Sequence, residues 1–157
     1  MFRFWRGFAR ERTPRELALA ALERGSYAEA EARFGRLLED AVSNPERAFL
    51  LNKRGVARVG LELRAAARDD FLAAVSAHGR HAPALANLGN LLLEAGDLAG
   101  AIARYEAAVA ADEECAIAHF NLGIAYKRAG RLEEGVRALR RAQRLEGRRL
   151  GKPTTRP

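Results

Sequence analysis

Residues 82–115 read APALANLGNLLLEAGDLAGAIARYEAAVAADEEC, and residues 116–147 continue directly with AIAHFNLGIAYKRAGRLEEGVRALRRAQRLEG. The two strings align without a gap. The tripeptide Asn-Leu-Gly at 87–89 recurs 34 residues later at 121–123, and most apolar positions recur with it. A fixed period of this length indicates a stack of repeated structural units rather than a single globular pattern.

Each unit is predicted to be two helices joined by a tight turn. Apolar residues recur at three- and four-residue steps between Ala84 and Ala95, which is the spacing of one face of an α-helix. Gly96 ends this helix and Asp97 caps the next one, which carries a second apolar face. Gly89 is expected to be small because the backbones of the two helices approach closely there. The prediction is an antiparallel helical hairpin.

These features resemble the tetratricopeptide repeat (TPR) family, although its tryptophan and closing proline are absent. The resemblance implies an all-α, right-handed solenoid of about four helix-turn-helix units. It also implies that the first helix of each unit lines a concave surface. The matching residues are Leu88, Gly89, Ala101 and Tyr105 in one unit, and Leu122, Gly123, Tyr126 and Ala142 in the next.

Two weaker copies of the unit precede this pair, so the predicted domains are as follows. The solenoid domain spans 13–147, with units at about 13–44, 45–81, 82–115 and 116–147. A basic aromatic segment, 1–12, precedes it, and a basic tail, 148–157, is expected to be disordered.

The second unit departs from the pattern because Arg54 and Arg58 stand where the third unit has Leu88 and Leu92. We expect their stems to pack while their charged heads reach water.

Charge and cysteine content narrow the class of protein. The net charge is +7, but residues 1–15 carry +4 and residues 127–157 carry +8, so residues 16–126 carry −5. Basic ends on an acidic middle argue against a basic groove along the whole solenoid. The sequence has one cysteine, Cys115, so a reducing compartment, the cytoplasm, is expected. No apolar stretch is long enough to predict a transmembrane helix.

The residues do not suggest an enzyme. His78, His81 and His119 have no neighbouring carboxylate pair or second cysteine that would complete a metal site. The sequence also lacks a glycine-rich phosphate loop and the order of a catalytic triad. We expect no catalytic residues, no metal and no cofactor.

The predicted function is therefore a non-enzymatic adaptor that binds an extended or helical segment of another protein in the concave groove. The resemblance implies that Asn87 and Asn121 form a ladder that hydrogen-bonds the backbone of a bound peptide, since an amide both donates and accepts. An open alternative is that these asparagines only hydrogen-bond a neighbouring helix. The predicted groove residues are Lys53, Val56, Asn87, Asn90, Phe120, Asn121, Ile124, Lys127 and Arg128.

A second hypothesis is a self-assembling structural protein or a peripheral membrane protein. The aromatic and arginine residues of 1–12 would cap the first repeat, insert at an anionic membrane surface, or bind another copy. The last helix would leave an apolar face open, formed by Val136, Leu139 and Leu145. Nucleic-acid binding by the basic tail ranks below both hypotheses.

Overall fold

The computed structural model of the chain describes residues 11–151. The predictions for residues 1–10 and 152–157 lie outside the described residues. Within residues 11–151 the chain forms eight α-helices and no β-strand. The helices are α1 (Pro14–Glu23), α2 (Tyr27–Glu39), α3 (Asn44–Gly60), α4 (Arg64–Ala77), α5 (Ala82–Glu94), α6 (Leu98–Ala111), α7 (Ala116–Arg128) and α8 (Leu132–Arg149).

The eight helices form four hairpins stacked in one row. Helices α1 and α2, α3 and α4, α5 and α6, and α7 and α8 pack as pairs, and each second helix also packs against the first helix of the next pair. The first helices touch one another as well, α3 against α5 and α5 against α7. This arrangement confirms the predicted all-α solenoid. Helix α8 continues to Arg149, two residues beyond the predicted end of the last unit.

Local signals in the sequence fix the helix ends. The Thr13 side chain accepts a hydrogen bond from the Glu16 backbone N–H at 3.2 Å, and the Glu16 carboxylate accepts one from the Thr13 N–H at 2.7 Å. Asp97 caps α6 in the predicted way, by accepting from the Gly100 N–H at 2.8 Å. In the second hairpin Glu62 takes the turn position that Gly96 holds in the third, and its φ of 62° is left-handed.

Inside each of the last three hairpins the second helix places a large side chain directly on a glycine of the first helix. A Cβ atom at Gly89 would lie 2.5 Å from Cε1 of Tyr105, and one at Gly55 would lie 2.5 Å from Cε1 of Phe71. The neighbour at Gly89 is thus an aromatic ring of α6, whereas the sequence pattern had suggested the backbone of that helix. In the fourth hairpin Leu139 lies over Gly123 in the same way.

This contact predicts that Gly89→Ala destabilises the protein although alanine is the better helix former. Tyr105 is buried and its hydroxyl is held by Asn90, so the ring cannot move aside freely. Overpacking of this kind costs about 1–3 kcal/mol, against a helix-propensity gain of about 1 kcal/mol. Urea denaturation gives the free energy of unfolding. The matched control is Gly35→Ala in α2, where a Cβ has no neighbour within 4 Å, so this change should stabilise. If both variants are stabilised alike, the tight packing of Tyr105 on Gly89 is contradicted.

His81 has a structural role at the start of α5. Its Nδ1 accepts a hydrogen bond from the Ala84 backbone N–H at 3.2 Å and so caps the helix. Burial lowers the pKa of His81 below its ordinary value, and the nearby charges of His78 and Lys53 lower it further. A protonated ring could not accept this hydrogen bond.

We therefore expect the free energy of unfolding to decrease as pH falls below about 6.5, the ordinary histidine pKa. The sign follows from the depressed pKa, because the unfolded chain binds the proton more readily than the folded chain. Asparagine is a good cap that does not titrate, so His81→Asn should flatten this part of the profile. Urea melts of both proteins between about pH 7.5 and 5.5 test the assignment. An unchanged slope would contradict it.

Candidate functional site

The predicted groove lies along the first helices of the hairpins, where two pairs of asparagine side chains bridge consecutive helices. Nδ2 of Asn87 in α5 donates to Oδ1 of Asn52 in α3 at 2.9 Å. Nδ2 of Asn121 in α7 donates to Oδ1 of Asn90 in α5 at 3.0 Å. The hydroxyl of Tyr105 also donates to Oδ1 of Asn90, at 2.7 Å. The amides therefore connect the second, third and fourth hairpins.

These bonds use only part of each amide. Asn87 and Asn121 are both half-buried, and among residues 11–151 no donor reaches the side-chain oxygen of either one. Asn52 was not among the predicted groove residues, and it is buried with a relative exposure of 4%. The contact to a neighbouring helix, which the sequence left as an alternative to peptide binding, is thus present. It leaves one acceptor on each asparagine at the surface.

An aromatic residue with two cations over its ring lies at the N-terminal end of this surface. The guanidinium carbon of Arg15 is 4.2 Å from the centroid of the Phe49 ring, and Nζ of Lys53 is 5.5 Å from it. Val56 is half-buried one turn further along α3. Lys53 was predicted from its place in the repeat. Phe49 was not predicted, although its spacing of one turn from Lys53 could have suggested it.

At the other end of the array the predicted residues belong to α7. Lys127 and Arg128 are exposed in its last turn, and Ile124 is half-buried. Phe120 is exposed, whereas Ala86, its equivalent in α5, is buried in the core shared with α7. Phe120 therefore lies at the end of the row of hairpins, where a further hairpin would pack, rather than between two first helices as Asn87 does.

The arginines of the second hairpin do not point into water as the sequence had suggested. Arg54 binds the carboxylate of Asp70 through Nε at 3.0 Å and Nη2 at 2.7 Å. Arg58 reaches the same carboxylate at 3.0 Å and also binds Glu31 of α2 at 2.9 Å. Hydrogen bonding of the Arg54 guanidinium to the Asp70 carboxylate is the main reason that the pKa of Arg54 is raised. This network joins α2, α3 and α4, and its centre, Asp70, is buried.

Removal of the central carboxylate should be costly. Asp70→Ala leaves Arg54 and Arg58 without their shared partner, and breaking a buried pair costs about 3–5 kcal/mol. The triple variant with Arg54→Leu, Arg58→Leu and Asp70→Ala places the leucines of the third hairpin in the second. Its free energy of unfolding should lie within about 1 kcal/mol of the original, since apolar residues can replace a buried network. Chemical denaturation of both tests this. A triple variant as unstable as Asp70→Ala would contradict this prediction, because it would show that lost packing rather than unpaired charge causes the instability.

The opposite side of the last two hairpins has a cleft between α6, α7 and α8. Two adjoining cavities of about 310 and 480 Å³ share His119, Tyr126 and Arg141 in their walls. The Tyr126 hydroxyl donates to Glu106 at 2.7 Å, and the Arg131 guanidinium carbon lies 4.0 Å from the Tyr126 ring centroid. Burial and the bond to Glu106 raise the pKa of Tyr126 to about 12. The hydroxyl of Tyr126 and the carboxylate of Glu106 are therefore engaged with each other.

Residues 11–151 show neither a cluster of metal ligands nor a membrane-spanning helix. No three histidine, cysteine or acidic side chains in this part of the chain lie together as metal ligands would. None of the described helices combines the length and apolar character needed to cross a bilayer.

Comparisons with known proteins point to one family. A family model for the tetratricopeptide repeat matches residues 52–103 and 86–147, which together span more than half of the chain. A crystal structure of MamA is 20% identical, with a TM-score of 0.68 over 87% of this chain and 78% of that one. MamA from Desulfovibrio magneticus RS-1 is 28% identical, with a TM-score of 0.64 over 84% and 73%.

A third similar structure is that of YrrB, described as a TPR protein with an unusual peptide-binding site. It is 22% identical to this chain, with a TM-score of 0.61, and the match covers 84% of this chain and 66% of YrrB. At identities of 20–22%, MamA and YrrB establish the likeness of the folds.

Proposed function

Because this chain belongs to the tetratricopeptide repeat family, we propose that it is a non-enzymatic adaptor that holds an extended segment of a partner protein along α3, α5 and α7. Proteins built from this repeat are interaction modules, and the hairpins carry binding surfaces rather than reaction centres. The one cysteine favours a reducing compartment, and we place the adaptor in the cytoplasm.

The proposal rests on Asn87 and Asn121, whose side-chain amides donate a hydrogen bond but have an oxygen that accepts none from the described residues. Their N–H groups are fixed by Asn52 and Asn90, so the direction of each remaining oxygen is set before a partner arrives. An extended segment presents backbone N–H groups that need acceptors, and a preorganised acceptor loses little entropy on binding. That YrrB is described as having a peptide-binding site supports the same use of the fold.

The charge of the surface suggests the composition of the segment. Lys53 lies near one end of the amide row, and Lys127 and Arg128 lie at the other. The asparagines between them are neutral. We propose that the bound segment carries acidic residues toward its ends, where these cations would speed association and favour one register. Added salt should then slow association more than it speeds dissociation.

The test separates binding from the bond between helices. Asn87→Ala removes both the oxygen at the surface and the bond to Asn52, whereas Asn52→Ala removes the same bond from a buried position. Each variant should lose about 0.5–1.5 kcal/mol of stability. Affinity for the partner should fall most for Asn87→Ala, by about tenfold for one lost hydrogen bond. It should fall less for Asn52→Ala, which keeps the Asn87 oxygen but no longer fixes its direction.

Partners are first captured with the original chain and identified by mass spectrometry. A peptide from each is then titrated against the three proteins well below their melting temperatures. Equal affinities for the Asn87→Ala variant and the original chain would remove the asparagine ladder. Equal losses in the two variants would show that the bridge matters only for the fold.

A further inference from the structure

The last hairpin exposes apolar positions that the hairpin before it buries. Ala86 of α5 is 3% exposed, whereas its equivalent Phe120 is 49% exposed. Ile102 of α6 is 8% exposed, whereas its equivalent Val136 in α8 is 40% exposed. Leu145, predicted to share the open face, is buried instead. We call this apolar surface the open end. It is formed by the exposed residues Phe120, Leu132 and Val136 and by the half-buried Ile124.

The internal junctions show what kind of element fits such a surface. Ala86 and Ile102 belong to the same core as Ala118 and Leu122 of α7, so the first helix of the next hairpin is what covers them. The same relation holds between α3 and α5. A helix that lies across the open end as α7 lies across the third hairpin would bury the exposed side chains.

One position distinguishes the open end from the internal junctions. The incoming helices α5 and α7 each bring an asparagine, which meets Asn52 in one junction and Asn90 in the other. The fourth hairpin has Phe120 at the place of Asn52 and Ile124 at the place of Asn90. An asparagine brought here would lose water without gaining a partner. The fitting helix therefore has an apolar residue at this position.

The rim of the open end is cationic. Lys127, Arg128, Arg140 and Arg144 are all exposed in α7 and α8. Among residues 11–151, the ion pairs of the last hairpin engage other arginines and leave these four unpaired. The rim includes one exposed carboxylate, Glu133, so the positive charge is in excess. A partner with acidic flanks complements this rim.

A second copy of the chain fits less well. If its first hairpin stacked here, Glu16 would take the position of Asn87 and Asn121, because Ala18 corresponds to Gly89. A carboxylate would then face Phe120 and Ile124, which is costly for a charge.

We propose that the open end binds an acidic amphipathic helix of a different protein, which docks as the first helix of a fifth hairpin. Its apolar face covers Phe120, Ile124 and Val136, and its carboxylates face Lys127 and Arg140. This site lies at the end of the array. It borders the concave surface at Lys127 but does not use the asparagines.

The probe is a stapled helical peptide with the sequence of residues 116–128. It carries Asn121→Leu to match the apolar open end. To match the cationic rim, it carries glutamate in place of Ile117, Phe120, Lys127 and Arg128. Binding to the full chain is followed by fluorescence anisotropy at low and high salt. A second peptide keeps the asparagine, and a third has lysine in place of the new glutamates. The first should bind tightest, and the third at least about tenfold more weakly, because its charges repel the rim.

The chain variants are Val136→Asp at the open end and Val42→Asp as the matched control, since Val42 is exposed between α2 and α3. Val136→Asp should weaken binding of the first peptide by about tenfold or more, while Val42→Asp and Asn87→Ala leave it unchanged. Equal binding by the Val136→Asp and Val42→Asp variants, or no binding to the full chain, overturns the proposal. So does sedimentation showing self-association that Val136→Asp abolishes, because a second copy would then be the occupant.

Discussion

The packing of one large side chain on one glycine sets the geometry of each later hairpin. Tyr105 on Gly89 and Phe71 on Gly55 leave no room for a Cβ atom, so the two helices are held at one separation. Stacking such hairpins brings α3 against α5 and α5 against α7. The amides that bridge these helices, at 2.9 and 3.0 Å, depend on that contact. A concave surface with regularly spaced groups is therefore a consequence of packing inside the hairpins.

The repeat made the hairpins predictable, but pairing between distant residues was not. Apolar spacing and turn residues indicated the helical hairpins of the solenoid, because these are local signals. The environment of Arg54 and Arg58 was mispredicted because their partners, Asp70 and Glu31, belong to two other helices. A helix read alone shows two arginines at apolar positions. Only the packed structure shows that one buried carboxylate can satisfy both.

The places of the bridging asparagines were predictable from the sequence, but their hydrogen-bond partners were not. The period places Asn87 and Asn121 at equivalent points of α5 and α7, and both do bridge to the preceding helix. Their acceptors are not equivalent, however, since Asn52 and Asn90 lie one turn apart in the repeat. A side-chain amide is long enough to choose either. Its partner is the position that offers an oxygen. For Asn121 this position is Asn90, because Ala86 has no side-chain oxygen.

Repetition also misleads at the ends of an array, because equivalent residues there have different neighbours. Phe120 was assigned to the groove from its place in the repeat, yet the last hairpin has no following hairpin in the described chain to cover it. At about 25 cal/mol per Å² of apolar surface, covering such side chains is a driving force for association. In the proposed adaptor, the asparagine row offers fixed polar acceptors and gains selectivity from preorganisation. The open end offers apolar area with a cationic rim, so the helix proposed to bind there is selected by its shape and charge.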